Sequence, residues 1–193
     1  MHGMKNFFPL IFAAVLTVVP GAPLFFFDPK TGVTWAAFVF LLAVYVFVRK
    51  RIDTVLVLAM LFALFTNIVN DYTYTTFNLI FFGVNLFSFV SWTAGLVLLR
   101  EVYDYFNFRF KWIVISITYL ALLILFEYIG FHHLGIELDN DYGTLLGLGV
   151  IHGPPIMHIF YPSAGPVYLL LTEYVPKYIS RAAFFTVRMR NTS

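Results

Sequence analysis

The 193-residue chain contains no cysteine, which excludes disulfides, thiolate metal sites, thiol catalysis and covalent haem attachment. Charge is scarce as well: Asp, Glu, Lys and Arg make up 11% of the residues, against roughly 25% in a soluble domain. The formal net charge is only +2, so nothing marks a nucleic-acid surface. Neither an HExxH zinc motif nor an ExxH pair occurs. The first apolar segment lacks a small-residue cleavage site before the next span and reads as a retained helix. Hydrophobic residues fill the space these absences leave. They are 61% of the chain, with 24 Phe and a mean hydropathy of +0.85, where a globular protein has roughly 45–50% apolar residues. The composition is that of an integral membrane protein.

A bilayer core of ~30 Å takes ~20 apolar residues per helix. That ruler divides the chain into six spans, approximately 6–27, 32–48, 53–70, 76–99, 111–131 and 144–174. The predicted fold is an all-α membrane protein, a six-transmembrane-helix bundle over residues 1–176. Pro9, Pro20 and Pro23 should kink the first span, because proline removes a backbone donor and clashes with the preceding turn. Asp28-Pro29-Lys30-Thr31-Gly32 reads as a turn, and Trp35 as an interfacial anchor. With the N-terminus inside, eleven of the twelve Lys and Arg fall on the cytoplasmic side and only Lys30 falls outside. Both termini are therefore expected in the cytoplasm and the bundle in the cytoplasmic (inner) membrane. Residues 177–193 interleave Lys177, Arg181, Arg188 and Arg190 with Tyr178, Phe184 and Phe185, the composition of an amphipathic basic tail on the headgroup layer.

An echo recurs at a spacing of seventy residues. Asn70-Asp71-Tyr72 matches Asn140-Asp141-Tyr142, Gly83 matches Gly153, and Ala94-Gly95 matches Ala164-Gly165. Each copy sets a polar cap before a long span that ends in a carboxylate, Glu101 or Glu173, which reads as a parallel internal repeat and not the inverted repeat common in transporters.

Ionisable groups inside hydrocarbon are expensive and need a partner, a water-filled cavity or a function. Glu127, His132, His133, His152 and His158 cluster beside and inside the last two spans, with Gly153-Pro154-Pro155 between the two deeper histidines. Such a break can free carbonyls and redirect a helix, and it is expected where a span lines a cavity. Three readings of the cluster stay open. Metal binding needs at least three converging ligands, for which Glu127, His132, His133 and His152 are the candidates, although the five-residue step from Glu127 to His132 does not share a helix face. Acid–base chemistry needs a carboxyl that hydrocarbon keeps protonated, with Glu127 first and Glu173 second. Packing or interfacial hydrogen bonding is the third reading, and His158, in midspan, fits it least. Asn67, Asn78 and Asn85 add amides to spans three and four and are, with His152 and Tyr161, the ligand-binding candidates.

In the last span Gly149, Pro155-Ile156-Met157-His158, Phe160-Tyr161-Pro162, Ala164-Gly165 and Glu173-Tyr174 follow one another, and span four offers Phe77-Asn78-Leu79, Phe87, Ala94-Gly95 and Glu101-Val102. This order resembles the lycopene cyclase domain family, small membrane proteins of three-helix units that close rings on the ends of linear carotenoids. Where the family pattern has paired carboxylates this chain has Met157 and His158, so it resembles a divergent member. The resemblance implies an isoprenoid, carotenoid or other lipid in an intramembrane cavity, bound or processed there, with Glu127, His158 and Glu173 as catalytic candidates. The cofactor is left open. The rival expectation is a non-enzymatic subunit of a larger membrane complex, packed on membrane lipids and on other subunits or copies of itself.

Overall fold

Asp28 starts the first described helix. Its backbone is extended, and its carboxylate accepts the N–H groups of Lys30 and Thr31 at 3.3 Å each, with Pro29 in the first turn where its missing donor costs nothing. The computed structural model describes residues 28–49, 52–70, 74, 79–138 and 142–190. Among them, α1 (Pro29–Ala43) runs directly into a π-helical turn, Val44–Arg49. Asp53 then starts α2 (Thr54–Asn70) by accepting the N–H groups of Val55 and Leu56 at 3.1 and 3.2 Å. A short antiparallel hairpin follows, β1 (Ile80–Phe81) and β2 (Val84–Asn85). Its central residues Phe82 and Gly83 both have positive φ, as a tight hairpin turn requires. Next come α3 (Leu86–Tyr105), α4 (Lys111–Leu134) and α5 (Pro155–Arg190), with a single 3₁₀ turn at Leu145–Gly147 before the last.

The chain is therefore a helical protein. Among the described residues, three helices are long and apolar enough to cross a membrane: Pro29–Phe47, Leu86–Tyr105 and Lys111–Leu134. The apolar helix α2 is shorter. Two expected boundaries differ from the structure. The span expected over 76–99 starts as a helix only at Leu86, because the hairpin takes the apolar residues before it. The span expected over 144–174 starts only at Pro155, because Gly147, Gly149 and Ile151 all hold positive φ, which no right-handed helix tolerates. From there α5 continues without interruption past Lys177 to Arg190, so the basic tail extends the last helix; side chains after Tyr178 lie outside the described residues.

Successive helices alternate in direction, and each end of the bundle has its own polar tie. At one end Arg49 reaches Asp53 and Glu101, while Arg100 reaches Asp104 and Glu173. Between the ends, Val44, Ala59, Leu96, Val97 and Leu169 form the buried core around Tyr168, whose hydroxyl donates to the Val55 carbonyl at 2.9 Å. At the other end Asn67 joins α2 to the start of α3. Its amide nitrogen donates to the Ala63 carbonyl, and its oxygen accepts the Asn85 N–H at 3.1 Å and the Ser88 hydroxyl at 2.8 Å. Asn85 in turn caps α3 through the N–H groups of Phe87 and Ser88. Asn67→Ala strips a buried N–H of its acceptor and should lower stability by about 1–2 kcal/mol, read as a lowered melting temperature in detergent. An unmoved melt would show that the α2–α3 junction does not depend on this amide.

Candidate functional site

Between α3 and α4 lies an open cavity of about 900 Å³. Its walls are almost wholly apolar and aromatic. Residues from Val114 to Leu134 line it, twenty steps along α4, which at ~1.5 Å each make ~30 Å, the thickness of a bilayer core. Gly95 helps open it: a Cβ there would meet nothing within 4 Å, so bare backbone forms part of the wall. The two helices run antiparallel and are tied where they meet, since Lys111 Nζ donates to the carbonyls of Tyr103 and Phe106. Phe106 and Val114 therefore mark one end of the cavity and Leu134 the other, with Ser88, Ser91 and Glu127 in the half away from Lys111.

The polar part of the wall is built around a strained turn. Ile151 is buried yet holds φ 54°, a left-handed conformation that a β-branched residue adopts only when its surroundings impose it. Two of the sequence candidates impose it here. Glu127 Oε1 accepts the His152 N–H at 2.6 Å and lies 3.3 Å from His152 Nδ1. His158 Nε2 donates to the Ile151 carbonyl at 3.1 Å. His152 stacks flat on Phe131, centroids 3.6 Å apart and planes 7° from parallel. His132 Nε2 donates to the Gly149 carbonyl at 3.0 Å and so ties the preceding loop to α4. Glu127 and His152 are thus brought together, and both line the cavity, as does Tyr161.

The other candidates go elsewhere. His158, expected to face inward toward Glu127, spends its ring nitrogen on the Ile151 carbonyl and is not part of the cavity wall. Glu173 lies fifteen residues, or ~22 Å, further along α5, paired with Lys177 at 2.6 Å and Arg100 at 3.5 Å. One reaction centre cannot hold Glu127 and Glu173 together. Asn67 and Asn85 are used by the backbone junction described above, and Asn78 lies outside the described residues. His133 packs its ring beside Tyr128. Among the described residues, no three His, Asp or Glu side chains converge as a metal-ligand set.

Several wall residues escaped the sequence reading, chiefly Ser91, Trp92, Gly95, Tyr119 and Phe131. A signal was present: Ser88, Ser91, Gly95, Leu99 and Val102 follow the three- and four-residue steps of one helix face. No protein-family model matches this chain, and its comparison with curated proteins and with solved structures gives no match either.

Proposed function

We propose that the protein binds one elongated isoprenoid or comparable lipid lengthwise in the α3–α4 cavity, as its resemblance to lycopene cyclase domains implies. One observation carries this reading: an apolar cleft as long as the bilayer core is thick, with Ser88, Ser91, Glu127 and His152 in the half away from Lys111. We also infer six spans, with α2 and α5 crossing alongside the three longest apolar helices and residues 6–27 supplying a span outside the described residues. Arg49, Arg100, Lys111 and Lys177 lie at the end away from Glu127, which supports a cytoplasmic placement of that end and of both termini. The Ala94 and Ala164 positions of the seventy-residue echo are both buried, which supports a parallel repeat. If the bound lipid is also processed, Glu127 is the carboxyl placed to act on it.

A second reading, an accessory subunit of a membrane complex, draws support from the outward face of α4, where Ile113, Ile117 and Leu125 are exposed, Ile117 at 63%. Native mass spectrometry of protein extracted in mild detergent separates the two. The expected result is one lipid per chain, with occupancy lowered at least about tenfold in Gly95→Phe, whose ring fills the groove. A stoichiometric membrane partner seated on the chain, and no lipid, would support the second reading in its place.

A further inference from the structure

We infer that the lipid carries an uncharged hydroxyl at its buried end, held between Ser91 on α3 and Glu127 on α4. This rests on the lipid-binding reading and gives the ligand its chemical class. Ser91 Oγ and Glu127 Oε2 both belong to cavity-lining residues, both are shut off from water, and neither has a hydrogen-bond partner among the described residues. Each such orphan costs about 1–3 kcal/mol, so two on facing helices require an explanation.

They also lie at one depth. From the tie at Phe106 and Val114, Ser91 is fifteen residues back along α3 and Glu127 thirteen residues on along α4, or ~22 and ~20 Å. Two neighbouring polar atoms are committed: Ser88 Oγ donates to Asn67, and Glu127 Oε1 is taken by His152. What remains is a hydroxyl donor–acceptor on one wall and a carboxyl oxygen on the other. A ligand hydroxyl has one donor and two acceptor sites, so it can donate to Glu127 Oε2 while accepting from the Ser91 hydroxyl. A hydrocarbon end would leave both oxygens unpaired. A phosphate or carboxylate end would meet a carboxyl with no Lys or Arg to offset it among the described residues of the cavity wall.

The test uses full-length protein in detergent with Trp35 and Trp112 replaced by Phe, leaving Trp92, which lines the cavity and stacks edge-on to Tyr161 at 5.3 Å, as the reporter. Five probes share one long isoprenoid chain: the alcohol, the hydrocarbon, the carboxylic acid, the phosphate monoester and the primary amine. The alcohol is expected to bind at least about tenfold more tightly than each of the others. Ser91→Ala should remove most of that advantage while hydrocarbon affinity stays the same, and the variant should melt no lower than the parent, because it deletes an unpaired buried hydroxyl. Glu127→Gln should also shrink the advantage. Equal affinity for alcohol and hydrocarbon, a preference for amine or phosphate, or a Ser91→Ala loss shared by alcohol and hydrocarbon overturns the hydroxyl assignment and leaves lipid binding standing. If no probe binds, the hydrocarbon included, lipid binding itself fails.

Discussion

Arg49→Ala should cost about 3–5 kcal/mol, the largest single-residue loss expected in this chain, because it strands the nearly buried Glu101 carboxylate. The Arg49 side chain is only 15% exposed and Glu101 only 10%. Its Nη1 meets Asp53 and its Nε meets Glu101, both at 2.5 Å, while Nη2 lies 3.8 Å from Asp104. One planar fork thereby joins the end of the α1 segment, the start of α2 and the last turns of α3. Burial works against the charge on Arg49, but the Glu101 carboxylate and the hydrogen bonds to Asp53 and Glu101 more than offset it, so its pKa is raised and it stays a cation. Arg49→Lys should recover only part of the loss, since an ammonium cannot hold two carboxylates in a fixed fork. Pairing Arg49→Ala with Glu101→Gln should cost less than the two changes added, with a coupling of about 1–3 kcal/mol. Thermal melts of the four proteins in detergent measure it. A loss below about 1 kcal/mol would mean that water reaches this cluster as it reaches an ordinary surface pair.

The second large effect comes from adding one methyl group. A Cβ at Gly165 would lie 2.7 Å from Tyr119 Cδ1, 3.0 Å from Tyr119 Cε1 and 3.3 Å from Leu99 Cδ2. The first distance is well inside van der Waals contact, and the atom struck belongs to a rigid ring near its root. Either α5 moves away from α4 or the ring turns into the cavity. Gly165→Ala is expected to cost up to about 3 kcal/mol by overpacking. It should also weaken lipid binding, because Tyr119 is part of the cavity wall. Trimming the ring in Gly165→Ala/Tyr119→Leu should return at least about 1 kcal/mol relative to the sum of the single changes. A Gly165→Ala protein that melts with the parent would mean that α5 does not approach α4 this closely.

Hydropathy along the chain located α1, α2 and α4 within a few residues, since the spans read at 32–48, 53–70 and 111–131 overlap helices Pro29–Ala43, Thr54–Asn70 and Lys111–Leu134. It misplaced the starts of α3 and α5 because it measures only how apolar a stretch is. Ile80 and Phe81 are as oily as any helix residue but pair as a strand, and the loop before Pro155 is bent by backbone angles at Gly147, Gly149 and Ile151 that hydropathy does not register. Depth along the helices was enough to bring Glu127 and His152 together. The partner of His158 was not legible, because the Ile151 carbonyl turns toward it only once that strained turn exists. Asn67 and Asn85 were visible as amides in an apolar setting, but a contact between two helices decides that they serve the backbone. The cavity left least trace, because an opening is set by what the side chains on both helices fail to fill.

An ordinary helix locks its two ends in rotational phase, ~100° for every residue, so whichever way the first turn faces dictates where the last one points. The wider turn at Val44–Arg49 releases that lock. It takes up surplus chain between the apolar flank of Pro29–Ala43 and the guanidinium beyond it, letting the flank seat against its neighbour in one phase while Arg49 swings to Glu101 in another. Sequence drift on either side of this turn can then be accommodated independently, with greasy packing free to vary while the ionic clasp keeps its aim.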